Sequence, residues 1–74
     1  MEDWTILQRH LAQAERHVAE GENTVARQRR VVAELLKDGH DSRLAQELLT
    51  QFETAQAAHI ADRDRIRAEL ASMK

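Results

Sequence analysis

Cysteine is absent from this 74-residue chain, and with it disulfide staples, thiolate metal sites and any redox argument about compartment. Proline is absent too, so nothing in the sequence forces a helix to break. Glycine occurs only twice, at Gly21 and Gly39, which excludes a glycine-rich phosphate loop. There is no tyrosine, and the only aromatic carbocycles are Trp4 and Phe52. No apolar run approaches the ~18 residues of a membrane-spanning helix. The start, Met1-Glu2-Asp3-Trp4, is acidic and lacks the apolar stretch of a secretory signal. These absences lead to the expectation of a cytoplasmic protein without membrane contact. Charge of one sign is also missing: charged residues make up 32% of the chain, yet the net charge is only −2. Interleaved signs describe a solvated helix face, and bulk binding to nucleic acid is disfavoured.

What is present keeps heptad time. Trp4, Leu7, Leu11, Ala14, Val18, Gly21, Val25, Gln28, Val32 and Leu35 follow one another at alternating steps of three and four. This is an a/d seam held for about five heptads, the pattern of a helix lying along another helix. The one stretch with turn chemistry is Lys37-Asp38-Gly39-His40-Asp41-Ser42. Lys37 suits the negative end of the helix dipole, Gly39 the left-handed position after a helix, and Asp41 or Ser42 the cap of the next one. Residues 1–74 therefore form one domain: helix 1 over about 3–38 with Asp3 as its cap, a turn at about 39–41, and helix 2 over about 41–72. A loop this short makes the helices antiparallel neighbours.

Helix 2 carries an a series of Ala45, Phe52, His59, Ile66 and Met73 and a d series of Leu48, Ala55, Asp62 and Glu69, with Leu49 and Leu70 on adjoining e positions. Folding about residue 40 pairs Leu35 with Ala45, Val32 with Leu48, Gln28 with Phe52, Val25 with Ala55, Gly21 with His59, Val18 with Asp62, and Ala14 with Ile66, then Leu11 with Glu69 and Leu7 with Met73; Glu15 then faces Arg63. The expected fold class is all-α, an antiparallel two-helix coiled-coil hairpin. One seam between two helices does not cover all the apolar side chains. Val31, Leu36, Leu44, Leu49, Ile60 and Leu70 are left for a further neighbour, so the hairpin is expected to dimerise into a four-helix bundle. A chain this short needs such support, since one small core rarely supplies more than roughly 3–5 kcal/mol.

Candidate chemistry is confined to one layer. His17, His59 and Asp62 approach one point in this register, with Glu20 nearby, and two histidines and a carboxylate would suit zinc or another first-row metal. No Glu stands three residues before any His, so the helical di-iron pattern is missing. His10 and His17 lie about 10 Å apart along the axis, too far to share one ion. The same residues read structurally as a polar layer that sets register, with His59 filling the space left by Gly21 and bonding Asp62. The sequence favours that reading, and no cofactor is assigned. Gly21, costing about 1 kcal/mol against Ala in a helix, implies a close approach at that point. The arginine clusters Arg27/Arg29/Arg30 and Arg63/Arg65/Arg67 are interleaved with acids, and Arg16–Glu20, Arg30–Glu34, Arg43–Glu47 and Arg65–Glu69 are i,i+4 pairs. They read as salt-bridged surface rather than phosphate contacts. Ser42 and Ser72 have no His–Asp relay in reach, so no enzyme is expected.

The runs His10-Leu11-Ala12-Gln13-Ala14-Glu15-Arg16-His17-Val18-Ala19-Glu20-Gly21, Gln28-Arg29-Arg30, Gly39-His40-Asp41 and Leu48-Leu49-Thr50-Gln51-Phe52-Glu53 resemble short helical-hairpin proteins of rhizobia and related alphaproteobacteria. The resemblance covers nearly the whole chain. It implies a bacterial helical hairpin and carries no activity or functional residue with it. The expected role is a small interaction module. A metal-binding bundle and a nucleic-acid-associated regulator are the alternatives.

Overall fold

A computed structural model describes residues 2–73, leaving only residues 1 and 74 of the expected domain outside the described part. Two helices account for nearly all of it: α1 spans Glu2–Lys37 and α2 spans Arg43–Ser72. They form a rod of 57 × 14 × 13 Å. Its length matches 36 residues rising about 1.5 Å each in α1. The radius of gyration, 16.8 Å, compares with about 11 Å for a compact globule of this chain length. Neither helix is long and apolar enough to cross a membrane. α1 begins at Glu2, which puts Asp3 inside the first turn instead of ahead of it. An acid suits the positive helix end in either place.

The turn is built as its residues dictate. Gly39 takes φ +75°. Its N–H donates to the carbonyl of Leu36 at 3.2 Å, and the N–H of His40 donates to that of Leu35 at 2.8 Å. These are the two bonds of a Schellman ending, which closes the last carbonyls of α1. Asp41 then accepts the backbone N–H of Arg43 through Oδ1 at 3.0 Å. Ser42 is buried; its carbonyl accepts the Gln46 N–H at 2.9 Å, and its hydroxyl accepts from the Gln46 amide at 2.7 Å. Of the two expected caps, the Asp41 side chain takes a backbone N–H, while Ser42 stands at the N-cap position with its hydroxyl on the Gln46 side chain and no side-chain bond to the backbone; α2 starts two residues later than the periodicity alone suggests.

The packing of α1 follows its heptads. Leu7, Leu11, Ala14, Val18, Gly21, Val25, Gln28, Val32 and Leu35 are all at least partly covered, while Trp4 stays exposed. On α2 the covered residues are Ala45, Leu49, Phe52, Gln56, His59, Arg63, Ile66 and Leu70, again at steps of four and three; Glu69, beside Leu70, also keeps partial cover. The a series is where the sequence places it from Ala45 to Ile66, but Met73, expected opposite Leu7, lies past the end of α2 and is exposed. The second row is shifted: it runs one residue later than expected, through Leu49, Gln56, Arg63 and Leu70. Leu48, Ala55 and Asp62 are left exposed. The reason is solvation. The chosen row buries two leucines and keeps the Asp62 carboxylate in water, where the alternative would remove it. Arg63 can line a seam on its aliphatic stem while its guanidinium reaches out to Asp64 at 3.0 Å.

The core between the helices is small: Ala14, Val18, Val25 and Ile66 are its buried apolar residues. Two glutamines tie the helices across it. Gln28 of α1 donates to the Ala45 carbonyl at 2.9 Å, and Gln56 of α2 donates to the Val18 carbonyl at 2.9 Å. Residues low in α1 meet residues high in α2, which makes the pair antiparallel.

Candidate functional site

The polar residues gather at mid-rod, where the seam carries Gly21 instead of an apolar side chain. The amide of Gln56, not His59, fills the space over Gly21. A Cβ at Gly21 would come to 2.6 Å of Gln56 Cδ and closer still to Oε1. Gln56 Nε2 reaches the Val18 carbonyl, and Oε1 is buried with no hydrogen-bond donor. That oxygen lies in the direction of the Gly21 Cα hydrogen, a weak contact that only a glycine permits. The shift of the second α2 row explains the substitution: once Gln56 turns inward, it faces Gly21, and His59 moves to the next layer.

There His59 meets His17. The ring centres are 5.4 Å apart with planes tilted by 47°. His59 is half-buried and His17 exposed. A cleft of about 190 Å³ opens beside them, with Glu20, Thr24, Phe52 and Gln56 among its walls. On the other side of His17 a second cleft is lined by His10, Gln13, Asp62 and Arg65. Of the three residues expected to converge, His17 and His59 do so. Asp62 does not join them, because it lies one position outside the seam and its Oδ1 accepts from Arg65 at 2.6 Å. Among the described residues no three His, Asp or Glu side chains form a group able to hold a metal ion. His10 stands at the neighbouring cleft and His40 in the exposed turn.

Five arginines are paired with carboxylates, while Arg9, Arg16, Arg27 and Arg30 take part in no ion pair among the described residues. Arg29 pairs with Glu53 at 3.0 Å and Arg67 with Glu15 at 3.1 Å, both across the helices, so Glu15 meets Arg67 where the expected register offered Arg63. Arg65 holds Asp62 and Glu69 together, the first bond being the main reason its pKa is raised. Of the four expected i,i+4 pairs, Arg65–Glu69 is the one closed among the described residues, while Arg43 turns back to Asp41 at 2.9 Å.

These contacts make the two flanks of the rod chemically different. One flank carries Glu15, Arg29 and Leu36 of α1 and Glu53, Ile60 and Arg67 of α2, spaced by multiples of seven residues, and both cross-helix ion pairs found among the described residues lie on it. The other carries His17 and Thr24 of α1 with Ala55 and Asp62 of α2 along its clefts, and the seven-residue spacing continues this flank through Val31 and Leu48. Of the residues set aside for a second chain, Val31, Leu36, Leu44 and Ile60 are exposed, and Leu49 and Leu70 are half-buried in the hairpin's own seam. Leu48, assigned by its spacing to the interior, joins the exposed group.

Comparison with known proteins finds no matching family model, no matching curated protein and no matching solved structure.

Proposed function

We propose that the protein is a non-enzymatic self-association module, two hairpins pairing around their turn-proximal apolar side chains into a four-helix bundle. The carrying observation is the surface the hairpin leaves uncovered. The chain exposes 5681 Å², about 1,000 Å² more than a compact protein of 8.5 kDa would. One partner in a standard interface buries about 800 Å². The excess is thus of the size that a second copy covers. Its apolar part includes a turn-proximal group on the flank without the cross-helix ion pairs, where Leu44 is 78% exposed, Val31 43% and Leu48 39%; Leu36 is exposed on the opposite flank, and Trp4, Ile6 and Met73 at the open end. Leu44 and Leu48 are one helical turn apart on α2 and form a continuous ridge. Five of the nine arginines are paired with carboxylates, and with a net charge of −2 this favours a protein partner over a phosphate backbone.

Sedimentation velocity over a concentration series tests the reading. The expected result is a species of twice the chain mass at micromolar concentration. A fully helical monomer throughout that range overturns it.

A further inference from the structure

We propose that His17 and His59 form a two-histidine clip for a divalent transition-metal ion of the zinc, nickel and copper class, bridging α1 to α2 at mid-rod. Imidazole is the natural ligand for this class of ion. An ion about 2.0–2.1 Å from a nitrogen of each ring, in tetrahedral geometry, sets the two ring centres about 5 Å apart. The observed separation is 5.4 Å, with the planes tilted rather than stacked. The two rings come from different helices, so the ion would act as a cross-brace. Among the described residues neither imidazole takes part in a hydrogen bond or ion pair, so no protein contact has to be broken to admit a metal. His17 is exposed, which gives the ion a path from solvent, and the acidic residue Glu20 is among those lining the cleft beside the pair. With two protein ligands the remaining coordination positions stay open to water.

His17 lies two heptads from Val31, about 20 Å along α1, so the clip does not depend on the apolar patch proposed for self-association.

The test uses the whole chain and the metal alone. Zinc and nickel are titrated calorimetrically and, in parallel, against the imidazole resonances of all four histidines. The clip is expected to shift or broaden the His17 and His59 signals together, leave those of His10 and His40 in place, and raise the melting temperature as ligation of the folded state requires. His17→Gln and His59→Gln should each weaken binding about tenfold or more, and His10→Gln should not. No binding at millimolar metal, which would leave the ring pair as an aromatic contact only, overturns the proposal. So does a response spread evenly over the four histidines. Circular dichroism of each variant separates loss of the clip from loss of the helix pair.

Discussion

A Cβ on Gly21 has no room while Gln56 keeps its place. Alanine there would gain about 1 kcal/mol of helix propensity but must displace the Gln56 amide and its bond to the Val18 carbonyl, a bond of about 0.5–1.5 kcal/mol. The two terms nearly cancel, so Gly21→Ala alone is expected to leave stability within about 0.5 kcal/mol of the parent. In a Gln56→Ala background the obstacle is gone, and the same change should stabilise by about 1 kcal/mol. Urea unfolding of the four proteins in this cycle reads the coupling directly. A full gain from Gly21→Ala in the parent would mean that Gln56 does not sit over the glycine. The sequence makes Gly21 conspicuous, because a glycine on a seam implies a close neighbour. It does not name the neighbour. His59 and Gln56 are one turn apart on α2, and only the choice between Leu48 and Leu49 as the inner leucine decides which of them faces Gly21. That choice turns on keeping Asp62 wet and Leu70 covered, a balance spread over the whole helix and invisible at any single position.

Each element carries its ending in its own residues. α1 stops where Gly39 enters the left-handed region, and nothing lies within 4 Å of the place a Cβ would take, so the cost of a side chain there is conformational and not steric. Gly39→Ala should destabilise by about 1–2 kcal/mol in thermal unfolding, although alanine favours helices, whereas the Gly21 change should not. The start of α2 depends on Asp41. The Arg43 side chain first, and its backbone N–H second, hold the Asp41 carboxyl below the ordinary value of 3.8. A carboxyl with a lower pKa folded than unfolded contributes stability that is complete above its unfolded pKa and disappears as the pH falls through its folded one. An NMR titration should therefore place the Asp41 midpoint below that of a free aspartate, and Asp41→Asn should flatten the acid limb of the stability profile below about pH 4. A midpoint at the ordinary value would show that the Arg43 contact does not persist in solution. Both sides of the turn are legible in the sequence because capping is a short-range matter. The residue that starts α2 is not, since Asp41 reaches past Ser42 to the Arg43 N–H and leaves Ser42 at the N-cap position, so that the first helical residue is Arg43.

At the scale of the molecule, the hairpin is long and thin, and a rod has too little interior for its apolar content. Among the described residues four buried apolar side chains form the core, while eight large ones stand exposed, from Trp4 to Met73. Heptad spacing reveals that α1 has a partner, and the turn reveals that α2 is that partner. Neither reveals what covers the remaining surface, because spacing records which face is apolar and not which molecule lies on it. Leu44 decides between the two cases. If the hairpin acts alone, Leu44→Glu alters a side chain already in water, and stability should move by no more than about 0.5 kcal/mol at any protein concentration. If a second copy covers the turn-proximal patch, the parent's melting midpoint rises with protein concentration, as mass action requires of an associating fold. Leu44→Glu should then remove that dependence and bring the sedimenting mass down to one chain, with helicity retained above the dissociated midpoint. The same substitution made in the ion-paired flank, at Ile60, should weaken association less, because that flank already spends its polar groups on Arg29–Glu53 and Glu15–Arg67. Equal loss from both sites would shift the contact from the turn-proximal patch to the full length of the rod.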